Sequence, residues 1–258
     1  MSNAIKPVDK IQAALTVDVQ EQLYNVLHDN AGSFIASVID LYASDPYLQQ
    51  CEASAVVMEC MKAASLKLPI NKQLGFAYVV PYRSKGRLIP QFQMGYKGYI
   101  QLAMRSGQYR YLNADIIYDG EEVVEDRLTG KIEIRGRKKS DKPIGYFAYM
   151  ELMNGFSKTV YMSREEVEAH AKRFSKSYES ESSPWKTSFD TMALKTVLKK
   201  LISKYGIMSI EMTEAMTYDL SADAEVVEVN EAIETEANSQ PLVIDAKFEQ
   251  KLIQEEPK

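Results

Sequence analysis

Residues 74–93 read LGFAYVVPYRSKGRLIPQFQ, two apolar arms on either side of the turn-like sequence RSKG. Over residues 76–82, aromatic and β-branched side chains occupy every second position, a period that predicts a β-strand. Gly86, at the end of the turn, supplies the left-handed backbone conformation that a tight hairpin needs. Pro81 and Pro90 cannot donate hydrogen bonds to a neighbouring strand, so the predicted hairpin lies at the edge of a sheet or contains a bulge.

Patterns on both sides of this hairpin complete the fold prediction. Apolar spacings of three and four indicate helices, and alternation indicates strands. The predicted helices are residues 17–32, 33–45, 53–68, 96–106, 163–174 and 184–206. The predicted strands after the hairpin are residues 110–118, 131–137, 144–152 and 157–163, with a solvated loop or outer strand at residues 119–130. The order helices, strands, helices predicts an α+β domain in which helices cover an antiparallel sheet.

The charge of the chain is distributed unevenly. The formal net charge is −5, but residues 221–258 contain ten Asp or Glu and three Lys, which leaves a net charge of +2 on residues 1–220. Residues 60–114 contain nine Lys or Arg and no acidic residue. A segment that avoids carboxylates over this length indicates a polyanionic partner.

Two segments contain side chains that suit a nucleic acid. Gln91 and Gln93 share one face of the second hairpin arm, and Lys97, Gln101 and Arg105 share one face of the next helix. The start of the last predicted helix offers free backbone N–H groups to phosphate. Cations along a phosphate backbone, with amides or rings near the bases, form a site that tolerates any base sequence. The candidate DNA-binding residues are Arg83, Lys85, Arg87, Gln91, Gln93, Tyr96, Lys97, Gln101, Arg105, Lys172, Arg173, Lys176, Trp185, Lys186, Thr187, Lys195 and Lys199.

Motifs for catalysis are missing from the sequence. The only Gly-Lys pair that resembles a phosphate-binding loop, in LTGKIEI, lacks the earlier glycine and the hydroxyl residue. His28 and His170 are far apart and fit neither a catalytic triad nor a zinc pattern. The basic segments lack the clustered carboxylates that hold catalytic metal ions. We therefore predict a protein that is not an enzyme and that uses no cofactor or metal.

Two blocks of the sequence resemble a known family. Residues 74–109, LGFAYVVPYRSKGRLIPQFQMGYKGYIQLAMRSGQY, and residues 182–206, SSPWKTSFDTMALKTVLKKLISKYG, resemble the signature blocks of the RecT family of phage single-strand annealing recombinases. That family is related in function to the Redβ proteins. The resemblance extends over about residues 50–206, the two blocks agree in order and spacing, and the sequence is similar to a prophage RecT from a Gram-positive bacterium.

The resemblance implies a function and a fold. Members of the family coat single-stranded DNA left by a 5′→3′ exonuclease and anneal it to a complement without ATP, within rings or helical filaments, in DNA recombination and repair. The implied fold is an antiparallel sheet with a helix packed across it. The positions that match the family's basic and aromatic blocks are Gln93, Lys97, Gln101, Arg105, Trp185, Lys186 and Thr187.

We predict three regions in the chain. Residues 1–50 form a helical region for packing or oligomerisation, residues 51–215 form the DNA-binding core, and residues 216–258 form an acidic, disordered tail. The tail either docks the exonuclease or the host single-strand binding protein, or only improves solubility. No apolar run is long enough for a membrane span and no secretion signal is visible, so we expect a cytoplasmic protein of the bacterial host.

Two other functions stay open at this level. A passive single-strand coating protein would bind DNA through a similar basic groove but would not hold two strands together. A metal-dependent nuclease is disfavoured because the basic segments lack carboxylate clusters. The individual side chains also have ordinary explanations, since hairpin tyrosines pack across strands and basic helix faces are solvated.

Overall fold

The computed structural model describes residues 6–84, 86–175, 177–181 and 183–220. The helices in this part are α1 (Pro7–Ala14), α2 (Val17–Leu27), α3 (Ala31–Ser44), α4 (Ala53–Ser65), α5 (Tyr96–Arg105), α6 (Arg164–Phe174), α7 (Pro184–Thr187), α8 (Phe189–Tyr205) and α9 (Ile210–Leu220). The strands are β1 (Ala77–Ser84), β2 (Arg87–Met94), β3 (Tyr109–Tyr118), β4 (Glu121–Asp126), β5 (Lys131–Gly136), β6 (Pro143–Leu152) and β7 (Ser157–Ser163). The predicted α+β class is confirmed.

Helices α1 to α4 pack against one another at the N-terminal side of the chain. Each buries an apolar stripe, for example Leu23 of α2, Val38 of α3 and Val56 of α4. Thr16 caps α2 because its side chain accepts a hydrogen bond from the backbone N–H of Val19. The helices predicted before the hairpin are therefore confirmed.

The β1–β2 hairpin is antiparallel, with a register that runs from Ala77 opposite Met94 to the turn. Gly86 has a φ of +81°, the left-handed conformation that the sequence predicts for the turn. The two prolines, Pro81 and Pro90, lie opposite each other in the register. In the described part of the chain the hairpin forms a two-stranded sheet of its own, so it is not the edge of the larger sheet.

The larger sheet is antiparallel, has the strand order β3-β6-β7, and is crossed by α8. Val197, Leu198 and Leu201 of α8 are completely buried. Helix α6 follows β7 directly, and the predicted capping box is present: the Ser163 side chain accepts from the Glu166 N–H and the Glu166 carboxylate accepts from the Ser163 N–H. A sheet with a helix packed across it is confirmed.

Residues 119–130 contribute an outer strand rather than a loop. Strand β4 pairs with β5 from Glu121 opposite Gly136 to Asp126 opposite Lys131. The turn of this second hairpin is held to β7 because the Lys158 ammonium donates to the Gly130 carbonyl at 3.2 Å.

The structure corrects the prediction of one helix over residues 184–206. Ser188, with φ −149° and ψ 49°, separates α7 from α8. The first residues of α8 make tertiary contacts that determine where it starts: Phe189 packs on Trp185 and on Tyr146, and Asp190 accepts a hydrogen bond from the Tyr146 hydroxyl. Sequence periodicity does not reveal these contacts, because they join residues that are distant in the sequence.

Helix α9 was not predicted, although its apolar residues have helical spacing. Met212, Ala215 and Met216 are buried and belong to the same core cluster as Ile11 near the other end of the described chain. The predicted boundary between residues 215 and 216 falls inside this helix. The three-region division stays a prediction, and the predicted tail from residue 221 onward lies outside the described residues.

Candidate nucleic-acid interface

The β1–β2 hairpin has two chemically different sides. Phe92 and Met94 of β2, with Ala77 and Val79 of β1, are buried against the core. The side chains of the opposite side are half-buried or exposed. We call this solvent-facing side the hairpin face; its residues are Tyr78, Val80, Tyr82, Ile89, Gln91 and Gln93.

Gln91 and Gln93 both lie on the hairpin face, as their alternation predicts. The Gln93 amide donates a hydrogen bond to the Tyr82 hydroxyl of the opposite strand. Burial, and to a smaller extent Tyr96, raises the pKa of Tyr78, so this phenol remains a neutral hydrogen-bonding group. The face therefore offers amides and neutral hydroxyls without a carboxylate of its own.

The first turn of α5 is held against the chain that enters β1. The Gly95 N–H donates to the Phe76 carbonyl at 2.9 Å. A Cβ on Gly95 would lie 2.0 Å from the Gly75 carbonyl oxygen, and one on Gly98 would lie 2.2 Å from the Phe76 carbonyl oxygen. Two glycines are therefore needed for the close backbone approach that positions Lys97.

Lys97 is exposed, and its aliphatic stem runs beside Gly75. Arg83 and Arg87 are also exposed and flank the hairpin turn. Lys85, the third cation predicted there, lies outside the described residues. The resulting surface combines the amides of the hairpin face with exposed cations at both of its ends. Lys97 lies at the start of α5, and Arg83 and Arg87 lie at the hairpin turn.

Arg105, predicted on the same helix face as Lys97, has a structural role. Its guanidinium donates to the carbonyls of Leu66 and Lys67, at 2.8 and 2.9 Å. Those carbonyls follow the last turn of α4, where an arginine also complements the helix dipole. Arg105 therefore joins α5 to α4, whereas Gln101 is half-buried on α5.

The second predicted segment is divided between the end of α6 and α7. Lys172 and Lys186 are exposed, and their ammonium groups lie 5.8 and 4.6 Å from the centre of the Tyr178 ring. Lys172 also pairs with Glu168 at 2.8 Å, so the carboxylate partly offsets the positive charge at this position. Arg173 is exposed over the Phe174 ring. Lys176 lies outside the described residues.

The predicted free N–H groups of α7 are engaged. The Trp185 N–H donates to the Ser183 hydroxyl, and the N–H groups of Lys186 and Thr187 donate to the Ser183 carbonyl at 2.8 and 3.0 Å. The Trp185 ring is buried and packs edge-on against Phe189, 5.7 Å between ring centres. This corrects the expectation that the first turn offers its backbone to phosphate; the exposed groups are the side chains of Lys186 and Thr187.

Lys195 and Lys199, two of the candidate DNA-binding residues, are buried and do not lie on a solvent-facing surface. Their ammonium groups lie 2.9 and 3.3 Å from the carboxylate of Asp219, which is fully buried. Asp219 also accepts hydrogen bonds from the Tyr99 hydroxyl and the Met94 N–H. Burial alone would raise the pKa of Asp219, but the two lysines and the hydrogen bond from Tyr99 lower it below its usual value.

Sequence reasoning missed the acidic residues that reach β2. The N–H of Phe92 donates to Glu59 of α4 and that of Met94 donates to Asp219 of α9. Both carboxylates satisfy backbone groups along the edge of β2 that does not face β1. Helical spacing is visible in the sequence at Met212, Ala215, Met216 and Asp219, and it indicates helix α9. The spacing does not identify the partners of Asp219.

A second polar network sits where α6, α8 and β6 meet. The Tyr146 hydroxyl donates to Asp190 of α8, and the Arg164 guanidinium at the start of α6 donates to that hydroxyl at 3.1 Å. Burial first, and then the Asp190 carboxylate, raises the pKa of Tyr146 far above its usual value. This network fixes the start of α8, next to the helix α7 that carries Lys186.

The His, Cys, Asp and Glu side chains of the described residues do not gather in groups of three or more that would suit a metal ion. Over the same part of the chain, no helix combines the length and apolar character needed to cross a membrane.

The α+β fold presents half-buried amides and exposed cations together on the β1–β2 hairpin and the start of α5. The RecT family model matches residues 32–242, and the chain belongs to this family of DNA-annealing phage recombination proteins. It is 46% identical over 219 residues to the uncharacterized protein YqaK of Bacillus subtilis (84% of this chain, 74% of YqaK). It is 30% identical over 224 residues to protein RecT of Escherichia coli (84% of this chain, 82% of RecT). The Bacillus relative agrees with the Gram-positive origin that the sequence suggests.

Proposed function

We propose that the protein binds single-stranded DNA along the hairpin face and the first turns of α5, and then anneals it to a complementary strand without ATP. The observation that carries this proposal is the sorting of side chains on β1 and β2. Apolar residues face the core, whereas Gln91 and Gln93 face solvent beside the exposed Lys97. The two acids that reach β2, Glu59 and Asp219, bind its backbone N–H groups.

The chemistry of this face suits annealing. A first strand must keep its pairing edges free, so the protein has to hold phosphate and sugar groups and leave the bases accessible. Lys97 supplies a charge for phosphate, and the two glutamine amides supply hydrogen bonds that do not depend on base sequence. Arg83 and Arg87 extend the same charge toward the hairpin turn.

The exposed cations at the end of α6 and on α7 are proposed as further phosphate contacts. Lys172 and Lys186 lie over the Tyr178 ring, and Arg173 lies over the neighbouring Phe174 ring. Trp185 supports them from inside because its buried ring anchors α7 on α8. In this arrangement Trp185 orients the contact residues instead of stacking on bases.

Assembly and partners complete the proposal. The family supports an oligomer, in the form of a ring or a helical filament, that keeps many contacts on one strand. A 5′→3′ exonuclease that supplies single strands and a host single-strand binding protein are the proposed partners. The acidic segment of residues 221–258 is the proposed docking segment for them.

Sequential annealing tests the function and the site together. One fluorophore-labelled oligonucleotide is bound first, its labelled complement is added without ATP, and pairing is followed by energy transfer. Wild type is expected to accelerate pairing, and Lys97→Met is expected to lose most of that acceleration because it lacks one phosphate contact per subunit of an oligomer. The matched control is Lys10→Met, which removes an exposed lysine from α1 and should behave as wild type.

Each result separates two explanations. Acceleration that survives in Lys97→Met places the DNA elsewhere on the protein and removes the hairpin face from the proposal. A wild type that binds the first strand but never accelerates pairing is a coating protein, and the annealing function is then wrong for this chain.

A further inference from the structure

The segment that joins β5 to β6 is a basic loop that the sequence analysis did not single out. This basic loop, residues 137–142, contains Arg137, Lys138, Lys139 and Lys142 and one acid, Asp141. All five of these side chains are exposed. The loop is therefore a strongly charged surface that neither the fold nor the proposed first-strand site has used.

The backbone of the basic loop is fixed by the end of β3. The Lys139 N–H donates to the Asp119 carbonyl at 2.7 Å, and the Asp119 N–H donates to the Lys142 carbonyl at 2.9 Å. The Ser140 hydroxyl donates to the Asp119 carboxylate at 3.2 Å. The Lys138 ammonium lies 3.6 Å from the centre of the Tyr118 ring. The loop thus presents its cations from a preformed turn, at a small entropic cost of ordering.

Most of the charge in the loop is not neutralised within the protein. Its acid, Asp141, pairs with Lys138. Within the described part of the chain, no carboxylate lies within ion-pair distance of Arg137, Lys139 or Lys142. Three exposed cations on a fixed loop are suited to bind a polyanion such as a phosphate backbone.

The basic loop lies at the end of the large sheet where α8 begins. The hydrogen bond from Tyr146 to Asp190 places the start of β6 beside the start of α8. The Ile207 N–H, just after α8, donates to the hydroxyl of Tyr109, and Tyr109 pairs with Leu152 at the far end of β6. Strand β6 and helix α8 therefore run in the same direction, and the loop precedes both.

The same reference points separate the loop from α5. Helix α5 meets α8 where Tyr99 and Lys195 share Asp219, five residues and roughly 8 Å beyond Asp190 along the helix axis. Lys142 lies four residues before Tyr146, roughly 13 Å in the opposite direction along the strand. The two displacements add to roughly 20 Å along α8, too far for one nucleotide to contact both surfaces.

We infer that the basic loop binds the phosphate backbone of the second, complementary strand during annealing. This inference rests on the proposed function. A strand on the hairpin face neutralises the cations there, so a second polyanion needs its own positive charge to approach the first. The basic loop supplies that charge at a distance from the first strand, and the exposed Lys186 side chain lies on the short helix next to the start of α8.

The test is a triple variant that leaves the first-strand site unchanged. Arg137→Ser/Lys139→Ser/Lys142→Ser is compared with a control triple that removes the same charge from other exposed positions, Lys6→Ser/Lys10→Ser/Arg127→Ser. Thermal unfolding confirms that both variants fold as wild type does. The affinity for a labelled single strand and the rate of pairing after the complement is added are measured at the same salt concentration.

The loop variant is expected to keep first-strand affinity within about twofold and to pair strands about tenfold more slowly, whereas the control triple matches wild type in both. Equal losses of first-strand affinity and pairing rate would overturn the inference, because the loop would then belong to the first-strand site. An unchanged pairing rate in the loop variant would also overturn the inference. The loop would then be better explained as a binding site for an acidic protein. A wild type that binds but does not pair strands refutes the annealing function itself.

Discussion

Lys97 and the pair Lys195 and Lys199 have the same side chain and the same sequence-based prediction, but the structure gives them opposite environments. Lys97 is exposed at the start of α5, beside a hairpin face that has no carboxylate. Lys195 and Lys199 are buried and share the carboxylate of Asp219. A count of basic residues along the sequence cannot separate these cases, because the neutralising acid arrives from a helix 20 or more residues later.

The buried cluster shows how this fold supports the proposed DNA-binding surface. Asp219 binds the β2 backbone at Met94 and the α5 side chain Tyr99, while the two lysines of α8 hold Asp219 in place. The buried charges thus connect the three elements beneath the exposed face. The buried lysines hold the geometry of the proposed site, and the exposed Lys97 is the lysine proposed to contact DNA.

The largest effect is expected from removing the shared acid. Asp219→Ala leaves two buried ammonium groups without a counter-charge, which should lower the free energy of unfolding by about 3–5 kcal/mol. Urea unfolding followed by circular dichroism measures it. Glu214→Ala on the same helix is the control and should stay within about 0.5 kcal/mol of wild type. Equal stability of Asp219→Ala and wild type would show that the buried cluster does not hold α9 to the core.

The next effect concerns the close backbone contact under Lys97. Gly95→Ala brings a Cβ to 2.0 Å from the Gly75 carbonyl oxygen, so the start of α5 must move. We expect a loss of about 1–3 kcal/mol of stability and weaker single-strand binding. Gly32→Ala, at a helix position with nothing within 4 Å, serves as the control and should be neutral or slightly stabilising. Unchanged stability and binding in Gly95→Ala would argue against the positioning role of this contact.

A smaller effect on stability is expected when the pH is lowered. The folded-state pKa of Asp219 is lower than its usual value of 3.8, so its contribution to stability is present above that value and disappears as the pH falls through the folded-state pKa. The stability difference between wild type and Asp219→Asn should therefore be largest at pH 6 and shrink as the pH approaches 3. A difference that is constant over this range would show that the charge of Asp219 is not what stabilises the cluster.

Local features of the fold were predictable from the sequence. The hairpin with Gly86 in its turn, the Ser163–Glu166 capping box and the strands after α5 follow from turn chemistry and from periods of two or 3.6 residues. The position of Gln91 and Gln93 on the side of β2 away from the core follows from the same alternation. These features depend on neighbours in sequence, which is why one sequence is enough to find them.

Features set by distant contacts were not predictable. The break at Ser188 depends on contacts of Phe189 and Asp190 with Tyr146, which is more than 40 residues away. The burial of Lys195 depends on Asp219, and the engagement of Arg105 depends on carbonyls at the end of α4. In each case the residue contacts a partner that is distant in the sequence, and no local sequence pattern identifies that partner.

The most direct measurement is the salt dependence of single-strand affinity for wild type, Lys97→Met and Lys199→Met. Each of the two variants removes one lysine ammonium group. If Lys97 contacts a phosphate, the slope of log Kobs against log salt should become shallower by about 0.7 in Lys97→Met, whereas Lys199→Met should keep the wild-type slope. The reverse result, an unchanged slope in Lys97→Met and a shallower one in Lys199→Met, would contradict the assignment of the exposed lysine to DNA and of the buried one to the core.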